Sequence, residues 1–158
     1  MDFSKLKAVD VSNKRQGGGL PPKIQEFDDM KYRRAPTKKS GIIAKFYVGD
    51  KRIEELKIAE EFALRHFVNP EDKTQVFIAS VEDKYGKMLR KRENREKGNS
   101  FKSDALEAAL AAAGLIDANA LKQNQFLSLT KVGENVTVDG VPVKEIFLFG
   151  KGVKKAQP

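Results

Sequence analysis

QFLSLTKVGENVTVDGVPVKEIFLFGK, Gln125–Lys151, decides the fold class, because apolar and polar residues alternate along it and turn-forming residues interrupt it. A period of two is what a strand shows when one of its faces is buried. The stretch reads as strands QFLSLTKV, VTV, VPV and KEIFLFGK, with a GEN turn at 133–135 and a tight hairpin at Asp139-Gly140. Asp-Gly suits such a hairpin because its two central residues need positive φ. Pro142 has no N–H to give to a ladder, so its strand is expected at an edge or bulged there. The result is an antiparallel meander.

Upstream, SDALEAALAAAGLI (103–116) predicts a helix with Ser103 as N-cap, Asp104 at the positive end of the dipole and Gly114 as the stop. QVFIASVE (75–82) is almost continuously apolar, which predicts a central strand covered on both faces, and DKYG (83–86) follows as a turn. KMLRKR reads as a charged strand or the start of a loop, with a helix from Asp83 to Glu96 as the competing reading. KRIEELKIAEEFALRHF (51–67) predicts an amphipathic helix. In it Ile53, Leu56, Ala59, Phe62, Ala63 and Phe67 form the apolar stripe, and Pro70 ends the helix. GIIAKFYVGD (41–50) predicts a strand and a turn.

Residues 1–40 show no sustained period and contain GGG at 17–19, Pro21, Pro22 and Pro36, so they read as a flexible basic arm. Phe3, Leu6, Val9 and Val11, then Ile24, Phe27 and Met30, give that arm short apolar segments able to dock on the body or on another chain. No internal repeat is present. The expected fold is α+β: a mainly antiparallel sheet of about five to six strands with two main helices, plus a flexible N-terminal arm. The expected division is an arm at 1–40, a globular domain at 41–150 and a basic tail at 151–158.

At 158 residues and 17.6 kDa the chain has the size of one domain. The sequence contains no cysteine, which excludes disulfides, thiolate zinc sites and a cysteine nucleophile. No run reaches the roughly 18–20 apolar residues that span a bilayer, and the first residues lack the apolar centre of a secretory signal. A soluble intracellular protein without membrane contact is expected, cytoplasmic or associated with a virion. The net charge of +8 is segregated: residues 1–40 carry +5, 84–102 carry +6 and 151–158 carry +3, while 41–83 and 103–150 carry −3 each. The excess positive charge therefore sits outside the segments that look most foldable.

KMLRKRENREKGNS (87–100) sets six cations, Lys87, Arg90, Lys91, Arg92, Arg95 and Lys97, against Glu93 and Glu96. Cations near a phosphate backbone release condensed counterions, which favours DNA or RNA without base reading. Aromatic residues accompany the charge: Tyr32 lies in KYRR, Phe46 and Tyr47 follow Lys45, Tyr85 lies in KYGK, and Phe101 precedes Lys102. Such rings stack on unpaired bases. The expected contacts are Lys31, Tyr32, Arg33, Arg34, Lys84, Tyr85, Lys87, Arg90, Lys91, Arg92, Arg95, Lys97 and Lys102. The bland alternative makes Phe46 and Phe101 core residues and KRENREK a solvated loop.

Other chemistry is less well supported. His66, the single histidine, lacks the histidine or cysteine partners of a metal site and reads as structural. Glu71 and Asp72 followed by Glu82 and Lys84 look superficially like the acid then Glu-x-Lys set of restriction-endonuclease-like enzymes, in which carboxylates hold a divalent metal. Here proline-glutamate replaces the usual proline-aspartate, and Asp72 and Glu82 fall at opposite ends of one strand. GGGLPPK lacks the spacing of a phosphate loop and reads as a hinge. The expected function is non-enzymatic nucleic-acid binding without cofactor or metal. A structural or assembly protein, a virion or complex subunit whose arm or edge strand docks on a protein partner or another copy, is the alternative, and a metal-dependent nuclease is third.

Overall fold

A computed structural model describes residues 3–9, 29–37, 41–49, 52, 63–86 and 100–152. The strands are β1 (Lys7–Ala8), β2 (Met30–Thr37), β3 (Gly41–Val48), β4 (Ala63–Asn69), β5 (Asp72–Val81), β6 (Ser100–Phe101), β7 (Asn124–Val138) and β8 (Val141–Lys151). A 3-10 turn covers Asp83–Tyr85, and helix α1 covers Asp104–Ala112. All eight strands join one sheet in the order β1-β4-β5-β8-β7-β2-β3-β6, and every pairing is antiparallel. The sheet curls into a half-barrel.

This corrects the expected α+β fold of two main helices and five to six strands: the sheet has eight strands, and α1 is short and is the one α-helix whose span the described residues cover. The expected helix over 51–67 fails at its C-terminal part, where Ala63–Asn69 is strand β4; residues 53–62 lie outside the described residues. Ala63 and Phe67 are four apart, a spacing that fits a helix stripe and also one face of a strand. Buried residues occupy both faces of β4, so no polar alternation exposed the period of two. Pro70 ends β4 rather than a helix, in a turn that Asn69 stabilises by accepting the Glu71 N–H at 3.0 Å. β2 arises inside the segment read as an arm.

The expected GEN turn is also corrected. β7 runs unbroken through 133–135, with a register shift against β8 between Lys131 and Gly133 and Asn135 at φ 52°. A bulge absorbs what looked like a strand break. The bare Gly133 leaves room for the Phe3 ring, whose Cζ lies 2.9 Å from where a Cβ would stand. Asp139-Gly140 forms the expected hairpin, with φ 47° and 76°. At Pro142 strand β8 has β7 on one side only, because pairing with β5 ends at Val81↔Val143. β5 lies between β4 and β8, as its apolar run predicts.

Both faces of the sheet bury apolar residues. On the concave side Met30, Tyr32, Phe46, Val48, Leu64, Ile78, Leu127, Leu129 and Phe147 surround Leu106 and Leu110 of α1. The helix forms there because Ser103 Oγ accepts the Leu106 N–H at 3.1 Å and Gly114, at φ 77°, turns the chain away. On the outer side Leu6, Phe67, Phe77, Val81, Val143 and Ile146 form a second cluster, with Phe3 and Ala8 against it. The described part of the N-terminal segment therefore docks on its own chain through β1 and Leu6. No residue of β2 or β3 belongs to this second cluster.

Side chains complete the ladder where strands stop. Beyond Met30, Asp29 Oδ2 accepts the Leu129 N–H at 2.9 Å and Arg52 Nη2 donates to Leu129 O at 3.1 Å. Arg52 Nε in turn donates to Asp29 Oδ1 at 2.7 Å. Where β5 and β8 slip, the buried Ser80 Oγ accepts the Glu145 N–H at 3.1 Å. Buried backbone groups need such partners.

Candidate nucleic-acid interface

Strand alternation sorts the run KYRR onto opposite sides of the sheet. Tyr32 is fully buried on the concave side, where its hydroxyl donates to Glu107 of α1. Arg34 Nη1 reaches both Glu107 oxygens at 3.2 Å. Burial, then the Glu107 hydrogen bond and charge, raise the Tyr32 hydroxyl well above its ordinary value. Tyr32 and Arg34 thus lock α1 to β2.

Lys31 and Arg33 lie on the other face, where the register builds two rows across the strands. In the first, Tyr47 of β3, Lys31 of β2 and Phe126 of β7 are direct neighbours. In the second, Lys45, Arg33 and Asn124 are direct neighbours. The rows lie about 7 Å apart, two residues along a strand. Tyr47 and Phe126 are half-buried, yet neither belongs to a core cluster. The Lys31 ammonium lies 4.7 Å from the Tyr47 ring centroid. Burial raises the Tyr47 hydroxyl, and the Arg33 charge opposes the rise, so the guanidinium is within electrostatic reach of the phenol.

Arg33 is held in place rather than neutralised. Its Nη1 donates to Lys122 O and to Asn124 Oδ1, each at 3.1 Å. Among the described residues no carboxylate pairs with Arg33, Lys45 or Lys122. This face combines Arg33 and Lys45, which no carboxylate pairs among the described residues, with two aromatic rings outside the core clusters, a combination suited chemically to a polyanion bearing flat rings.

The other expected contacts are placed differently. Lys84 lies 3.7 Å from the Glu82 carboxylate and 5.1 Å from the Tyr85 ring, and Tyr85 packs against the outer core cluster. They follow β5, which β8 and β7 separate from β2. Lys102 is half-buried just after β6. Lys87, Arg90, Lys91, Arg92, Arg95 and Lys97 lie outside the described residues. Phe126 and Lys122 were missed, Lys45 and Tyr47 stood only as a neighbouring cation and ring and not among the expected contacts, and reading 30–37 as a strand would have supplied the alternation that places Lys31 and Arg33 beside them.

His66, on the concave face of β4, has a buried Nε2 with no hydrogen-bond partner among the described residues. Burial first, and the Arg65 charge second, push its imidazole down to about 4. Asp72 accepts hydrogen bonds from Thr74 Oγ1 at 2.6 Å and Thr74 N at 3.0 Å, which lower its carboxyl. Among the described residues no group of three or more histidine or acidic side chains is placed to hold a metal ion. No helix among them is long and apolar enough to cross a membrane. The chain matches no protein-family model, no curated protein and no solved structure.

Proposed function

We propose that this protein binds nucleic acid without catalysing a reaction, holding the phosphate backbone of DNA or RNA against the outer face of β2 and β3. The observation that carries this reading is the pair Arg33 and Lys45, directly opposite on adjacent strands and without a carboxylate partner among the described residues. Lys122, whose carbonyl accepts from Arg33, is exposed and carries a further positive charge. The +6 charge of residues 84–102 supplies further phosphate contacts from sequence alone.

Anisotropy titrations of labelled oligonucleotides at several salt concentrations test the reading. Each phosphate contact contributes about 0.7 to the slope of log K against log salt on a single strand and about 0.9 on a duplex. Arg33→Gln with Lys45→Gln should weaken binding and flatten that slope by the equivalent of about two contacts. Neutralising Arg90, Lys91, Arg92 and Arg95 together should flatten it further. Lys84→Gln, beside Glu82, should change little. Absence of binding to any oligonucleotide at low salt removes the proposal.

A further inference from the structure

Resting on that reading, the geometry points to a single strand with unpaired bases as the ligand of the outer face, with bases on the Tyr47–Phe126 row and phosphates on the Lys45–Arg33 row. Tyr47 and Phe126 lie on strands flanking β2, so two strand spacings, about 9.6 Å, separate them. Stacked bases in a duplex follow one another at about 3.4 Å, and their faces are covered by their neighbours. A duplex therefore cannot lay a base on each ring, whereas a strand whose bases are splayed can. The aromatic and cationic rows run side by side across the strands, about 7 Å apart. A strand crossing β3, β2 and β7 can thus keep its bases over one row and its backbone over the other.

Lys31 links the rows. In the free protein its ammonium lies over the Tyr47 ring at 4.7 Å, the position a stacking base would take. Its long stem allows the charge to leave the ring and meet a phosphate when a base arrives. Both rings are half-buried and outside the two core clusters, so their substitution does not open a core.

The test compares wild type with Tyr47→Leu, Phe126→Leu and the double variant, which keep apolar bulk but lose the flat π face. Ligands are oligo-dT, oligo-rU and a duplex of equal length, each titrated at several salt concentrations. The wild type should prefer the single strands, and the two sugar arms show which nucleic acid is favoured. Each leucine variant should weaken single-strand binding by roughly 5- to 100-fold while leaving the salt slope unchanged, because stacking releases no counterions. Circular dichroism melts check that the variants are folded, and Tyr47→Phe, which retains a ring, should restore affinity. Equal affinity for duplex and single strand, with leucine variants that bind like wild type, overturns the stacking inference and leaves the electrostatic reading standing. Loss of binding to all three ligands at low salt in the wild type overturns both.

Discussion

Acidification should unfold this protein partly through one imidazole. His66 is 7% exposed, its Nε2 has no hydrogen-bond partner among the described residues, and its imidazole is pushed down to about 4. An unfolded histidine titrates near its ordinary value of about 6.5. Between those two values the unfolded chain holds a proton that the folded chain does not, so acid favours unfolding. The His66 contribution is thus intact above about 6.5 and is lost as pH falls toward about 4. Moving from pH 7 to pH 5 should remove about 2 kcal/mol of stability. For a chain of this size that is about 4–8 °C in Tm. The depressed carboxyls of Asp72 and Glu134 act below their own unfolded values, near 4, and stay outside this window. Urea unfolding at pH 7, 6 and 5 of wild type and His66→Leu isolates the effect, and the variant should lose only a small fraction of what the wild type loses. Equal losses in both proteins, or a folded-state histidine resonance titrating near the unfolded value, would refute the reasoning.

Leu110→Ala should cost about 2–5 kcal/mol, seen in chemical denaturation, because a fully buried side chain leaves a cavity between α1 and the sheet. Gly140→Ala meets no atom within 4 Å, so its cost should be the backbone strain of φ 76° alone, about 1–2 kcal/mol in the same assay. Arg34→Ala strips Glu107 of its cation and should lower stability by about 0.5–2 kcal/mol while leaving oligonucleotide affinity unchanged at temperatures where the variant is folded. Arg33→Ala should do the reverse, lowering affinity in anisotropy titrations with a Tm within about 2 °C of wild type.

The elements that announced themselves in the sequence are those whose signal is local. The alternation in β7 and β8, the Asp139-Gly140 turn, the apolar run of β5 and the Ser103 cap of α1 are each complete within about a dozen residues. β4 failed because burial on both faces removed the polar partners that reveal a period of two. β2 failed for another reason. Its inward positions are Met30, Tyr32 and Arg34, and the third is a cation whose partner, Glu107, lies 73 residues away. The candidate site was legible as a residue type but not as a surface. KYRR was found as a basic aromatic run, yet the face of each side chain depends on β2 being a strand, and the place of Phe126 depends on a register across 95 positions.

One run of four residues therefore serves two sides of a sheet, and this bears on the proposed polyanion site, which would lie on the side of β2 away from α1. The half-buried concave cation Arg34 has a carboxylate partner in Glu107, which also takes the Tyr32 hydroxyl. The outer cations Arg33 and Lys45 are half-buried like Arg34, and Arg33 is satisfied by neutral oxygens instead of a carboxylate. Had Arg33 been paired like Arg34, a phosphate would have to break an ion pair before gaining another, and little net attraction would remain. The hydrogen bonds from Lys122 O and Asn124 Oδ1 fix the Arg33 guanidinium while leaving its charge uncompensated. Neutral acceptors position it, a carboxylate would silence it, and the alternation of β2 keeps Glu107 on the far side of the sheet.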